Sequence, residues 1–200
     1  MKNILVAAFA ALGLTAGVAA ADDFDNTQMF TTVEAGAFEF TLEGDSVHGF
    51  TGMEVEAEVL TYGLGANVDA SVELTFAYVE GVDAVALGIE NTITYDEGAL
   101  DVYATPRLVY VASTDDFGNG DFFTAPTLGA SYDFNKTVTG FGEVSYAWNV
   151  SEDFDRQGGM FEVGADFALT ETVTLTPSVV RTFDTADDET QARIGVTFSF

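Results

Sequence analysis

The stretch Ala192-Arg193-Ile194-Gly195-Val196-Thr197-Phe198-Ser199-Phe200 decides how the rest of the chain is read. Apolar side chains fall at 194, 196, 198 and 200, with Arg193, Gly195, Thr197 and Ser199 between them. A repeat of two belongs to an extended strand, so one face is apolar and the other small or polar. The segment stops on an aromatic, Phe200.

The same alternation recurs upstream. Met53, Val55, Ala57 and Val59 oppose Glu54, Glu56 and Glu58. Leu100, Val102, Ala104, Pro106, Leu108 and Tyr110 oppose Asp101, Tyr103, Thr105 and Arg107. Phe161, Val163, Ala165 and Phe167 oppose Glu162, Gly164 and Asp166. Polar breaks join such runs into four hairpins: 62–68 with 72–78 across Asp69-Ala70-Ser71, and 85–95 with 100–111 across Asp96-Glu97-Gly98. The other two are 128–134 with 137–148 across Asn135-Lys136, and 161–169 with 173–183 across Thr170-Glu171-Thr172. The opposite connections, at 44–49, 81–83, 113–121, 150–159 and 184–190, are more acidic and mostly longer. Pro106 and Pro177 sit in matching Thr-Pro contexts, where a lost ladder donor predicts bulges or strand ends.

The other end carries an export pattern. Lys2 precedes an apolar run over residues 4–14, and Ala19-Ala20-Ala21 offers a cleavage site before Asp22. The run is too short to span a bilayer as a helix, so residues 1–21 read as a cleaved signal peptide and 22–200 as one domain. With no cysteine, disulfides, thiolate metal sites and a lipoprotein anchor are excluded. Beyond residue 21 the chain has 33 Asp and Glu against five Lys and Arg, a net charge of −28. Nucleic acid is excluded as a partner, because phosphate contacts need clustered Lys and Arg. Yet 48% of residues are hydrophobic and 18 are Phe, unlike an acidic disordered chain. A barrel separates the two populations by giving each strand a lipid face and a lumen face.

The terminal aromatic strand, hairpin period, turn asymmetry and export signal together resemble the small bacterial outer-membrane β-barrels, of the OmpA-like and OmpX-like kind and the "porin family" proteins. The resemblance implies an all-β, closed antiparallel up-and-down transmembrane barrel located in the outer membrane. It also implies that Phe198 and Phe200 serve as the signal read by the barrel-assembly machinery. Four hairpins, an opening strand at about 30–42 and the closing strand give ten strands; eight is the alternative if 30–64 adds no separate hairpin. An even count is expected of a bacterial single-chain barrel. Tyr95, Tyr110, Tyr132, Tyr146 and Trp148 fall near strand ends, where interfacial girdles are expected.

Parity turns Glu54, Glu56, Glu58, Glu73, Asp101, Glu143, Glu162 and Asp166 toward the lumen, with Arg107 and Arg193 as scarce counter-charges. Such a set makes either a polar core of ion pairs or a cation-preferring pore lining. Acidic aromatic segments at 22–26, 115–119 and 152–156 are solvated loop tips, or oxygen-rich sites where divalent cations bridge to lipopolysaccharide. Neither protein-bound metal nor cofactor is expected. Catalysis is not expected either: the lone His48, near Asp45 and Ser46, lies in a short turn that rarely builds a triad. Three functions stay open: a structural barrel supporting membrane integrity with at most a narrow passage, a small cation-preferring porin, or a secreted soluble all-β binding protein.

Overall fold

A computed structural model describes residues 27–45, 49–79, 84–185 and 188–200, and within them the backbone forms thirteen strands and no helix. The signal segment, the acidic residues 22–26 and His48 lie outside the described residues. The strands are β1 (Thr27–Ala35), β2 (Phe38–Asp45), β3 (Gly49–Gly65), β4 (Val68–Val79), β5 (Ala84–Glu97), β6 (Leu100–Thr105) and β7 (Arg107–Ser113). They continue with β8 (Asp116–Thr124), β9 (Thr127–Asn135), β10 (Val138–Asn149), β11 (Asp155–Thr170), β12 (Val173–Phe183) and β13 (Thr190–Ser199).

Hydrogen-bonded neighbours close on themselves. The circuit runs β1 to β6, then β9 to β13, and returns to β1: eleven strands rather than the ten or eight expected. Nor is it antiparallel throughout. An odd number of up-and-down strands leaves first and last pointing the same way, so the closing pair must be parallel. It runs from Thr27↔Ala192 to Glu34↔Ser199. The extra strand comes from residues 30–42, which fold as the β1–β2 hairpin instead of one strand. Gly36, at φ 64°, supplies the left-handed turn that a residue with a side chain rarely adopts.

The two strands outside the circuit, β7 and β8, pair with each other and bridge β5 to β10. They prolong β6 and β9 beyond two facing breaks, at Pro106 and at Ala125-Pro126. Proline has no N–H to give the ladder, and the gap is bridged by the carbonyl of Arg107, which accepts from Ala125 N at 3.2 Å and Thr124 Oγ1 at 2.9 Å. Pro106 is therefore a strand end, as expected. Pro177 is neither strand end nor bulge: β12 runs through it, opposite Ile194 of β13. Its pairing to β11 lapses over Thr176 and Pro177 and resumes in the same register.

Two other boundaries move. The first polar turn lies at Ala66-Asn67 rather than 69–71, because residues 69–71 continue β4, with Ala70 buried opposite Tyr62 of β3 and Ile93 of β5. Residues 113–121 are largely β8 rather than loop. Tyr110 packs Phe117 and Phe122 at centroid distances of 5.5 and 5.0 Å, holding that acidic segment extended.

The burial pattern is inverted relative to a protein with an apolar core. Phe134, Leu169, Leu128 and Leu64 are 57–66% exposed on the outer surface, while Glu90, Arg107, Glu162 and Arg193 are 9% exposed or less within the lumen. Aromatic side chains mark both ends of the outer face. Tyr95 and Tyr132 lie near the short turns, with Tyr132 against Phe134. Tyr110, Tyr146 and Trp148 lie near the loops, the last two 4.7 Å apart.

Candidate functional site: the charged lumen

Lumen chemistry is set by strand parity. In β5, Ala84, Ala86, Gly88 and Glu90 alternate with Val85, Leu87 and Ile89, so the small and acidic members share the inner face. Inward positions on β3 and β7 join Glu90 to assemble the first cluster. Arg107 Nη2 donates to Glu54 Oε1 at 3.1 Å and to Glu56 Oε1 at 3.4 Å. Its Nε lies 3.4 Å from Glu90 Oε2, an ion-pair contact without hydrogen-bond alignment. Three carboxylates crowd one guanidinium in a water-poor environment, where an uncompensated charge is costly.

The second cluster lies on β11, β12 and β13. Arg193 Nη1 donates to Glu162 Oε2 at 3.0 Å, and Ser178 Oγ donates to Glu162 Oε1 at 2.6 Å. The guanidinium also covers the Phe30 ring, 5.1 Å from its centroid, a cation–π contact. That ring is accommodated because position 195 is glycine: a Cβ there would come within 1.9 Å of Phe30 Cζ. Gly129 makes equivalent room for the Tyr103 ring, whose hydroxyl donates to Glu143 Oε2 at 2.9 Å.

The remaining expected lumen residues divide. Asp166 accepts from Thr176 Oγ1 at 2.5 Å, and Glu73 accepts from Ser71 Oγ at 3.0 Å. Glu58 is exposed and accepts from Thr61 Oγ1 at 2.6 Å. Asp101 joins neither cluster; it stands beside the 98–99 turn, opposite Asp96 in the ladder. Phe198 lies in β13 opposite Val33 and Val173, and Phe200 just beyond it donates its N–H to Glu34 O at 3.0 Å.

Toward the turn end the lumen opens into a vestibule of about 220 Å³ lined by Glu34, Glu39, Glu56, Glu58 and Glu73, with no basic residue in its wall. Glu56, Glu73 and Glu90 hold carboxylate oxygens within 4.8 Å of one another, the only such group among the described residues. Their all-oxygen donor set is of the kind Ca²⁺ or Mg²⁺ takes. The acidic loops at 115–119 and 152–156 form no comparable group. Toward the loop end the lining changes character: Ala77, Ala86, Val109, Val111, Phe123 and Met160 form one buried apolar cluster with their neighbours.

Reading the sequence missed Glu90, Glu34, Glu39 and the tyrosine and serine partners of the acids. Glu90 was recoverable from the small-then-acidic series at 84, 86, 88 and 90. The partnering of Tyr103 with Glu143 and of Ser178 with Glu162 depends on strand register in the folded sheet, which no local pattern carries.

No protein-family profile and no curated protein matches the chain in sequence. Among solved structures, the barrel is similar to the NanC porin, with a TM-score of 0.64 and 13% identity over 86% of this chain and 91% of that one. That likeness concerns the fold.

Proposed function

We propose that the chain is an integral outer-membrane barrel that supports the integrity of that membrane, non-enzymatic and with at most a narrow passage. The observation that carries the proposal is the inverted burial: large apolar side chains cover the outside, and the ion pairs are inside. In water so much contiguous apolar surface is a liability, whereas in lipid it is what burial requires. A secreted soluble binding protein would have the opposite arrangement. Recognition of Phe198 and Phe200 by assembly machinery, contact with lipopolysaccharide through divalent cations, and the narrower likeness to OmpA-like and OmpX-like barrels belong to the same proposal.

A second reading, a small cation-preferring porin, is favoured by the vestibule, whose five glutamates face no basic residue. The similar fold of a porin is compatible with it. Planar-bilayer recording of the refolded chain under a salt gradient separates the readings. A folded barrel that gives no steps, or only rare small ones, supports the structural role. Frequent discrete steps with a cation-selective reversal potential, weakened in a Glu56→Gln, Glu58→Gln, Glu73→Gln variant, replace it with the porin.

A further inference from the structure

We infer that the lumen is sealed in its loop-side half by an apolar plug, with Phe123 and Met160 as its largest members, so that the acidic vestibule is blind. The inference rests on the membrane-barrel reading and deepens it. Ala77, Ala84, Ala86, Val109, Val111 and Ala147 are 1–4% exposed, and Phe123, Met160 and Val180 are 1%, 4% and 4% exposed. These residues point inward, because their strand neighbours Leu108, Phe122, Phe161 and Val179 are 42–47% exposed on the outer face.

A side chain lining a water-filled pore would retain contact with that water. Small lumen-facing alanines and valines with almost none are covered by something, and the contact cluster identifies it as one another, Phe123 and Met160. The cluster draws on β4, β5, β7, β8, β10, β11 and β12, a continuous arc of neighbouring strands around more than half of the wall, so that β4 and β12 at its ends stand on opposite sides of the lumen. An apolar constriction of this kind also blocks ions when it is nearly wide enough for them, because water withdraws from it. The chain thus places a desolvated barrier directly beyond its acidic lining, and Phe123 and Met160 set how much passes.

The test uses single cysteines in the full chain, which has none of its own. The protein is inserted in phosphatidylcholine vesicles and a membrane-impermeant, charged thiosulfonate is supplied on both faces. Glu58→Cys in the vestibule is expected to react readily, and Val109→Cys and Val111→Cys about a hundredfold more slowly until the protein is unfolded. In parallel, a Phe123→Ala, Met160→Ala variant is expected to raise bilayer conductance several-fold, whereas Phe122→Ala on the outer face leaves it unchanged. Equal labelling at 58 and 109 in a folded, inserted barrel overturns the plug and leaves the barrel standing. So does a double variant that folds and conducts no more than the parent. Failure of the parent chain to insert at all, seen as identical gel mobility with and without boiling, overturns both.

Discussion

At the scale of single residues, Arg107 is the side chain on which most depends. Among the described residues it is the one cation paired with Glu54, Glu56 and Glu90, and all four are largely withdrawn from solvent. Removing one partner of a buried ion pair leaves the other charged and unsolvated, which costs about 3–5 kcal/mol. Arg107→Met is therefore expected to lower the urea midpoint of the refolded barrel strongly. Adding Glu54→Gln and Glu90→Gln to it should recover much of the loss. Gly195 makes a second residue-scale prediction. Gly195→Val collides with the Phe30 ring and should cost about 1–3 kcal/mol by overpacking, an effect that Phe30→Ala relieves in the double variant. Both are read from denaturant midpoints followed by gel mobility.

At the scale of elements, the outer and inner faces of one strand should respond oppositely to charge. Ile89 sits mid-strand in β5 and is 48% exposed. On a soluble protein an Ile89→Arg change at so exposed a position would be nearly neutral. Facing lipid near the bilayer centre it should cost about 2–4 kcal/mol, and Leu100→Arg beside the 98–99 turn about 0–1 kcal/mol. The parallel seam makes a separate prediction. Val33 and Phe198 are register partners across it, so a Val33→Cys, Phe198→Cys chain should oxidise to an intramolecular disulfide. Absence of that crosslink in a folded barrel would contradict the eleven-strand closure. Much of the element scale was legible beforehand, because alternation depends only on residues two apart. The β9–β10 and β11–β12 hairpins follow the pattern directly. The opening segment did not, since a single glycine at 36 decides between one strand and two, and the surrounding alternation is the same either way. The pairing of Arg107 with Glu54 was invisible for a different reason: the two lie 53 residues apart, on β7 and β3, with β4 and β5 between them.

At the scale of the whole molecule, the composition becomes intelligible. A chain with 33 acidic residues and 18 phenylalanines keeps both only if geometry separates them, and strand parity around a closed sheet does so. Of the six basic residues in the sequence, Arg107 and Arg193 are the two that the described barrel buries, each beside carboxylates. The central claim is that the apolar surface faces lipid. Fractionation of cells expressing the full chain, with each fraction run on a gel boiled and unboiled, tests it most directly. The expected result is recovery in the outer membrane as a species whose mobility changes on boiling. Recovery as soluble periplasmic protein with the same mobility either way would contradict it.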